Sequence, residues 1–303
     1  VTASTTTRPR RHRLAALLAC AGLLVPGVAA CGNAKAGTAL PDGDDAAAYV
    51  NAKFADKLKS LSDDFVGNEP RKTVLTKFAR IDDKKANGTI SAVQVGRPPA
   101  RLSKNHSNTD SGEYLDVFHP ANSPVEYTRL GPVYKSLAPT EWVSMPYTGG
   151  SQSECVWEGA QDVCKMLNAV ASSVEKRQVA KAAKSRPDGS VELTAEVTLA
   201  EFIQKRVIVI PETLLSRISD KMKNEVLPTR IVLDPRGKLT EIEMSGKIAG
   251  DGHEVEIKMH YRLDGQPTEN DLPKVPDASQ VTVLADEAAK RDFYNRLGQL
   301  QGG

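Results

Sequence analysis

The chain is poor in the residues that announce chemistry. Of 303 residues, only 4 are Cys, 5 are His and 5% are aromatic. With no Cys-x-x-Cys and no His-Glu-x-x-His, the usual ligand spacings of a zinc site are missing, and no metal or cofactor is expected. No Walker pattern occurs, so Asp234-Pro235-Arg236-Gly237 reads as a turn between strands rather than a phosphate loop. No apolar run approaches the roughly 20 residues that a membrane-spanning helix needs. Acidic and basic residues nearly balance, at 38 Asp and Glu against 40 Lys and Arg. The first 30 residues hold four of those arginines and no acid, so the remainder carries 36 basic against 38 acidic residues. No basic tail or stripe remains, which argues against a nucleic-acid partner.

What is present starts near the N-terminus. Arg8, Arg10, Arg11 and Arg13 precede a short apolar stretch from residue 14 to 25, followed by Pro26-Gly27-Val28-Ala29-Ala30-Cys31. A cationic start, a short apolar run and small residues before a cut form the pattern of a secretory signal peptide. Arg10-Arg11 has the form of a twin-arginine signal, but Arg13 stands where an aromatic or apolar residue is expected, which favours a plain basic leader. Val28-Ala29-Ala30-Cys31 resembles the bacterial lipobox, in which the Cys sulfur takes a diacylglyceryl group. A thiolate is the side chain suited to that alkylation, and two acyl chains at one point give stable anchoring where one does not. The expectation is a palmitate-type lipid anchor at Cys31 and a place on the outer, extracytoplasmic face of the cell membrane. An ordinary signal peptide with a chance Cys is the competing reading.

This divides the chain into a leader (residues 1–30), a Gly- and Pro-rich tether (31–45), a folded domain (46–276) and a C-terminal helix (277–303). Cys155 and Cys164 remain as an even pair, most simply a disulfide in an oxidising compartment, with two buried thiols as the alternative. Helical spacing is expected at Val50, Phe54, Leu58 and Leu61, then from Pro70 through Val74, Leu75, Phe78 and Ile81 to a stop at Asn87-Gly88. Short strands are expected at residues 89–95, 113–119, 125–130, 133–137 and 142–145, with a long polar loop at 96–112. A third helix fits residues 160–175. The clearest strand is 191–199, where Val191, Leu193, Ala195, Val197 and Leu199 alternate with Glu192, Thr194, Glu196 and Thr198. A helix opened by Pro211 through Met222 precedes hairpins at residues 230–245 and 250–261, and helical spacing returns at Ala289, Phe293, Leu297 and Leu300. Helices and strands in this order predict an α+β fold with a mostly antiparallel sheet.

Three stretches resemble a known group. Tyr127-Thr128-Arg129-Leu130-Gly131-Pro132-Val133-Tyr134 leads to Glu141-Trp142. Residues 227–239 run Leu-Pro-Thr-Arg-Ile-Val-Leu-Asp-Pro-Arg-Gly-Lys-Leu. Residues 255–263 lead to Gly265-Gln266-Pro267 and to Leu272-Pro273-Lys274-Val275-Pro276. Together they resemble actinobacterial lipoproteins of the LppX/LprG group and, more distantly, LolA-like carriers, over roughly residues 46–276. The resemblance implies a strongly curved, mostly antiparallel half-barrel packed on helices, with an apolar cavity that binds lipid. Leu193, Ala195 and Val197 would then line the cavity face. The pair Cys155/Cys164 and the C-terminal helix depart from the pattern.

Catalytic candidates are few. Ser173-Val174-Glu175-Lys176 matches Ser-x-x-Lys without its usual partner motifs, and Gly149-Gly150-Ser151-Gln152-Ser153 falls one residue short of Gly-x-Ser-x-Gly. His253 and His260 have opposite parity on one strand and should face opposite sides. Asp63-Asp64 and Asp82-Asp83 read as solvated pairs. No enzyme is expected. The two readings are a lipid- or apolar-ligand-binding module, and a sensor or protein-interaction module with a filled core acting on an envelope partner.

Two outcomes follow from residues alone. Cys31→Ala should abolish labelling by a palmitate analogue, and persistent label on that variant overturns the anchor. A Cys155–Cys164 bridge closes a loop of about ten residues, worth on the order of 2–3 kcal/mol. Alkylation before and after reduction should reveal two thiols only in the reduced protein; two alkylatable thiols without reductant rule the bridge out.

Overall fold

The computed structural model describes residues 54, 56–58, 61, 69–147, 157–177 and 179–302. Its frame is a single twelve-stranded sheet. The strands are β1 (Arg71–Ile81), β2 (Lys84–Val95), β3 (Ala100–Ser107), β4 (Tyr114–His119), β5 (Val125–Leu130), β6 (Trp142–Pro146), β7 (Lys181–Ser185), β8 (Val191–Thr198), β9 (Val226–Leu233), β10 (Leu239–Gly250), β11 (His253–Leu263) and β12 (Val281–Val283). Their order is β12-β6-β5-β4-β3-β2-β1-β11-β10-β9-β8-β7. Two antiparallel meanders, β1 to β6 and β7 to β11, meet where β1 pairs with β11, and only β12 is parallel to its neighbour, β6. The fold is therefore α+β, as the sequence predicts.

Tight turns set the registers. Asp82 (φ 52°) turns β1 into β2, while Asp251 and Gly252 (φ 51° and 81°) join β10 to β11. In the second turn, positive φ at both central residues matches the twist of the flanking strands. At Gly246 a Cβ would come within 2.7 Å of Leu227 Cδ2, so the bare backbone lets β9 lie close against β10.

One face is apolar from β2 across β1, β11, β10 and β9 to β8. Leu75, Ile90, Leu193, Ile231, Ile242, Ile257 and Tyr261 all point to it, and register carries the same parity from strand to strand. Helix α1 (Glu158–Arg177) covers this face with Val163, Leu167, Val170 and Val174, each at most 6% exposed. Gly159 lies against Ala92 on β2, while Ser173 Oγ accepts from the Thr198 N–H at the end of β8. In a flat sheet those two points stand five strands and seven residues apart, about 33 Å. Fourteen helical residues span about 21 Å. The sheet must curl around the helix, and it stays open, with β7 and β12 as edges.

After β11 the chain crosses the opposite, convex face. Leu272 packs there over Val93, Leu102, Phe118, Tyr127 and Trp142, and Lys72 pairs with Asp271 at 2.7 Å. It then forms β12 and returns to the concave side as a helix, Glu287–Gly302, whose Phe293 and Leu297 pack on Leu130, Val143 and Met145.

Several sequence expectations are corrected. The helix expected from Pro70 is β1 and part of β2. Apolar residues at 74, 75, 78 and 81 fit a helical period, but they alternate in a two-faced strand whose inward Lys77 finds Asp162 on α1 at 3.2 Å. The polar loop expected at residues 96–112 contains β3. Residues 133–137 make a 3-10 turn, Pro132–Tyr134, rather than a strand. The early helical spacing holds where described, with Phe54, Leu58 and Leu61 helical and buried, while Val50 lies outside the described residues.

Candidate functional site

Strand β8 carries the residues expected to face a ligand. Leu193, Ala195 and Val197 are 3%, 5% and 0% exposed, opposite Ile231, Thr229 and Leu227 of β9. Thr194 is exposed, and Glu192 and Glu196 are half-buried on the other side, so the expected parity is found. The inward residues belong to the same apolar cluster as Met166 and Val170 of α1. A groove of about 460 Å³ lies on the outer side of these strands, among Thr194, Glu196, Pro228, Arg230, Glu243 and Ser245. Cys31 and Cys155 lie outside the described residues. Cys164 is buried in α1 and is not a free thiol.

Between β8 and β9 three short helices, α2 (Leu199–Gln204), α3 (Glu212–Leu215) and α4 (Asp220–Asn224), close one end of the curled sheet. The single helix expected from Pro211 to Met222 is thus two, separated at Ser216–Ser219, and α2 was not legible as a helix. Thr198 caps α2 by accepting from the Glu201 N–H. Phe202, Val207, Ile218 and Met222 point into the core, while Ile208, Ile210, Leu214 and Leu215 pack at its border. Val209 stays 63% exposed, which leaves an apolar lip on this end.

The cap is fastened electrostatically. Arg217 Nη1 lies 3.1 Å from Asp82 Oδ2, in the β1–β2 turn. Asp82 also accepts from the Glu254 N–H at 3.0 Å and sits 2.9 Å from His253 Nδ1. The Glu254 N–H, then His253 and Arg217, hold the Asp82 carboxyl down at about 2. Of the pair read as solvated, Asp82 is this hub, and Asp83 alone is exposed. Asp63-Asp64 lies outside the described residues.

The Ser-x-x-Lys residues serve the same end of the sheet. Ser173 is fully buried and ties α1 to β8, so it does not lie at a solvated helix end. Lys176 Nζ reaches Glu201 Oε1 at 3.0 Å. Burial alone would raise the Glu201 carboxyl, but the Ser172 hydroxyl and the Lys176 ammonium outweigh it and hold it below its ordinary value. The Gly149–Ser153 motif lies outside the described residues. His253 and His260 do face opposite sides, the latter against Glu241 at 2.8 Å. Among the described residues, no three His, Cys, Asp or Glu come together as a metal site, and no helix is long and apolar enough to cross a membrane.

No family model and no curated protein matches the chain. Among solved structures, a DUF1329 family protein from Desulfovibrio piger is 9% identical, with 74% of this chain and 98% of that chain covered and a TM-score of 0.25. A putative outer membrane lipoprotein-sorting protein domain from Vibrio parahaemolyticus is also 9% identical, with 73% and 96% covered and a TM-score of 0.22. Similarity at that level carries no functional argument.

Asp82 makes the cap sensitive to acid. Its folded pKa lies below the ordinary carboxylate value, so its contribution is complete above about pH 4 and is lost as pH falls towards 2. Asp82→Asn should weaken protection of residues 199–225 in hydrogen exchange at pH 7, with the gap from wild type closing as pH approaches 2. A gap that does not change with pH removes Asp82 from the latch.

Proposed function

We propose that this chain is a lipid-anchored protein of the extracytoplasmic membrane face whose half-barrel binds a lipid or another apolar ligand, without catalysis, metal or cofactor. The observation that carries the reading is the apolar part of the concave face, which runs under α1 and reaches the apolar lip around Val209. An acyl chain needs an unbroken apolar path and an apolar entrance. The apolar cluster under α1 supports the first, and the border residues Ile208, Ile210, Leu214 and Leu215 support the second. The Cys31 anchor would hold the chain at the bilayer from which such a ligand comes. The likeness to LppX/LprG and LolA-like proteins belongs to the same proposal, as does the Cys155–Cys164 bridge.

One observation favours the alternative. Leu193, Ala195 and Val197 are buried among the core residues, which suits a sensor or interaction module with a filled interior. Native mass spectrometry of the domain purified from its host separates the two, because a stoichiometric lipid supports binding and a clean apo mass supports the platform. Val197→Trp sharpens the test. If acyl chains reach β8, the variant loses lipid with little change in urea midpoint. If the interior is filled, overpacking costs about 1–3 kcal/mol. No lipid on the wild type, joined to that stability loss, overturns the binding reading.

A further inference from the structure

The concave face is not apolar throughout. On β2, β3 and β4 one row reads Gln94, Arg101 and His119, with Ser103 one step along β3 on the same face. Arg101 has only neutral polar partners. Its Nε donates to Gln94 Oε1 at 2.9 Å and its Nη1 to the Tyr147 hydroxyl at 3.3 Å, and among the described residues no carboxylate pairs with it. The Trp157 ring lies 5.9 Å from its guanidinium carbon. A half-buried guanidinium ordinarily keeps a counter-ion, and among the described residues this one has none.

Two buried polar atoms beside it also lack partners. Ser103 is 0% exposed and its Oγ makes no hydrogen bond. His119 Nδ1 is likewise buried and unpartnered. His119 Nε2 lies 3.0 Å from the Ser123 carbonyl, which only accepts, so Nε2 holds the ring proton and Nδ1 presents a lone pair. Burial, against the Ser123 bond and with help from the Arg101 charge, depresses the imidazole pKa and keeps the ring neutral. Tyr147 stacks on that ring at 3.7 Å and fixes its plane. Buried polar atoms are nearly always satisfied, so two orphans beside a cation that meets no carboxylate among the described residues mark a place where a polar ligand belongs. The positive end of α1 adds to the field. Its first turn lies on Ala92, the strand partner of Ser103, because Gly159 has no Cβ to hold it off.

We propose that this row binds the headgroup of an amphiphile, with a phosphate or carboxylate oxygen on Arg101 and an adjoining hydroxyl donating to His119 Nδ1. Ser103 Oγ completes the ring of partners. The proposal rests on the lipid-binding reading for the source of the headgroup, but the recognised chemistry, an oxyanion next to a hydroxyl, is shared with small soluble anions.

The test uses the full processed chain. Binding is measured by calorimetry with glycerol 3-phosphate, and by co-sedimentation with phosphatidylglycerol vesicles against phosphatidylcholine vesicles. Wild type should bind at least one phosphate-bearing probe, and Arg101→Met should bind it at least tenfold more weakly at an unchanged thermal midpoint. Arg101→Lys keeps the charge and stem but not the fork, and it gives the same readout if the Met variant fails to fold. The nitrogen-15 resonance of His119 Nδ1 should move on binding, which a purely structural role for the ring does not produce. Wild type binding none of the probes, wild-type affinity in both Arg101 variants, or an unmoved His119 resonance overturns the site. Lipid retained at wild-type affinity by Arg101→Met removes the headgroup site and leaves lipid binding standing. Glycerol 3-phosphate bound through Arg101 with no lipid retained keeps the site and removes the lipid reading.

Discussion

The contact that the rest of the structure depends on is the packing of α1 across the concave face of the sheet. The first meander leaves the chain near one edge, at β6, and the second begins at the other edge, β7. The connection between them has to recross the sheet, and α1 does so with Val163, Leu167, Val170 and Val174 turned inward. Because Gly159 touches β2 and Ser173 touches β8, contact points that a flat array would hold about 33 Å apart must approach a helix segment of about 21 Å. Curvature is thus imposed by the connection. It creates the interior on which every functional reading turns.

Closure of one end follows from the same geometry. A curled open sheet exposes its core at the strand ends, and the insertion between β8 and β9 covers one of them with Phe202, Ile218 and Met222. Apolar packing supplies the cover, while Asp82 registers it against two hairpin turns at once through Arg217, His253 and the Glu254 N–H. Val209 remains outside, so the cover presents apolar surface to whatever lies beyond it. The concave face is therefore apolar under α1, apolar again under the C-terminal helix, and polar along Gln94, Arg101 and His119 on the strands between them.

Legibility in the sequence followed the periodicity of each segment. The alternation from Val191 to Thr198 is strict, and both the strand and the direction of Leu193, Ala195 and Val197 could be read from it. The stripe of α1 was as clear. Residues 71–81 misled because Val74, Leu75, Phe78 and Ile81 also fit a helix, and because Lys77 puts a charge on the inward face, where only Asp162, 85 residues away, makes it tolerable. Strand β3 was invisible for a related reason. Arg101, Ser103 and Asn105 all face inward, so the alternation that marks a half-buried strand never appears.

By itself the sequence determined what local chemistry encodes. Turn residues specify hairpins, and two-residue alternation specifies which side of a strand is buried. All these signals lie within a few residues of one another. Only the tertiary structure decided that β1 pairs with β11, that α1 curls the sheet, that Asp82 is a hub rather than a solvated acid, and that Arg101, Ser103 and His119 share one face. Those facts depend on residues from two to nearly two hundred positions apart, brought together by burial and strand register, and no single strand's pattern records such a meeting.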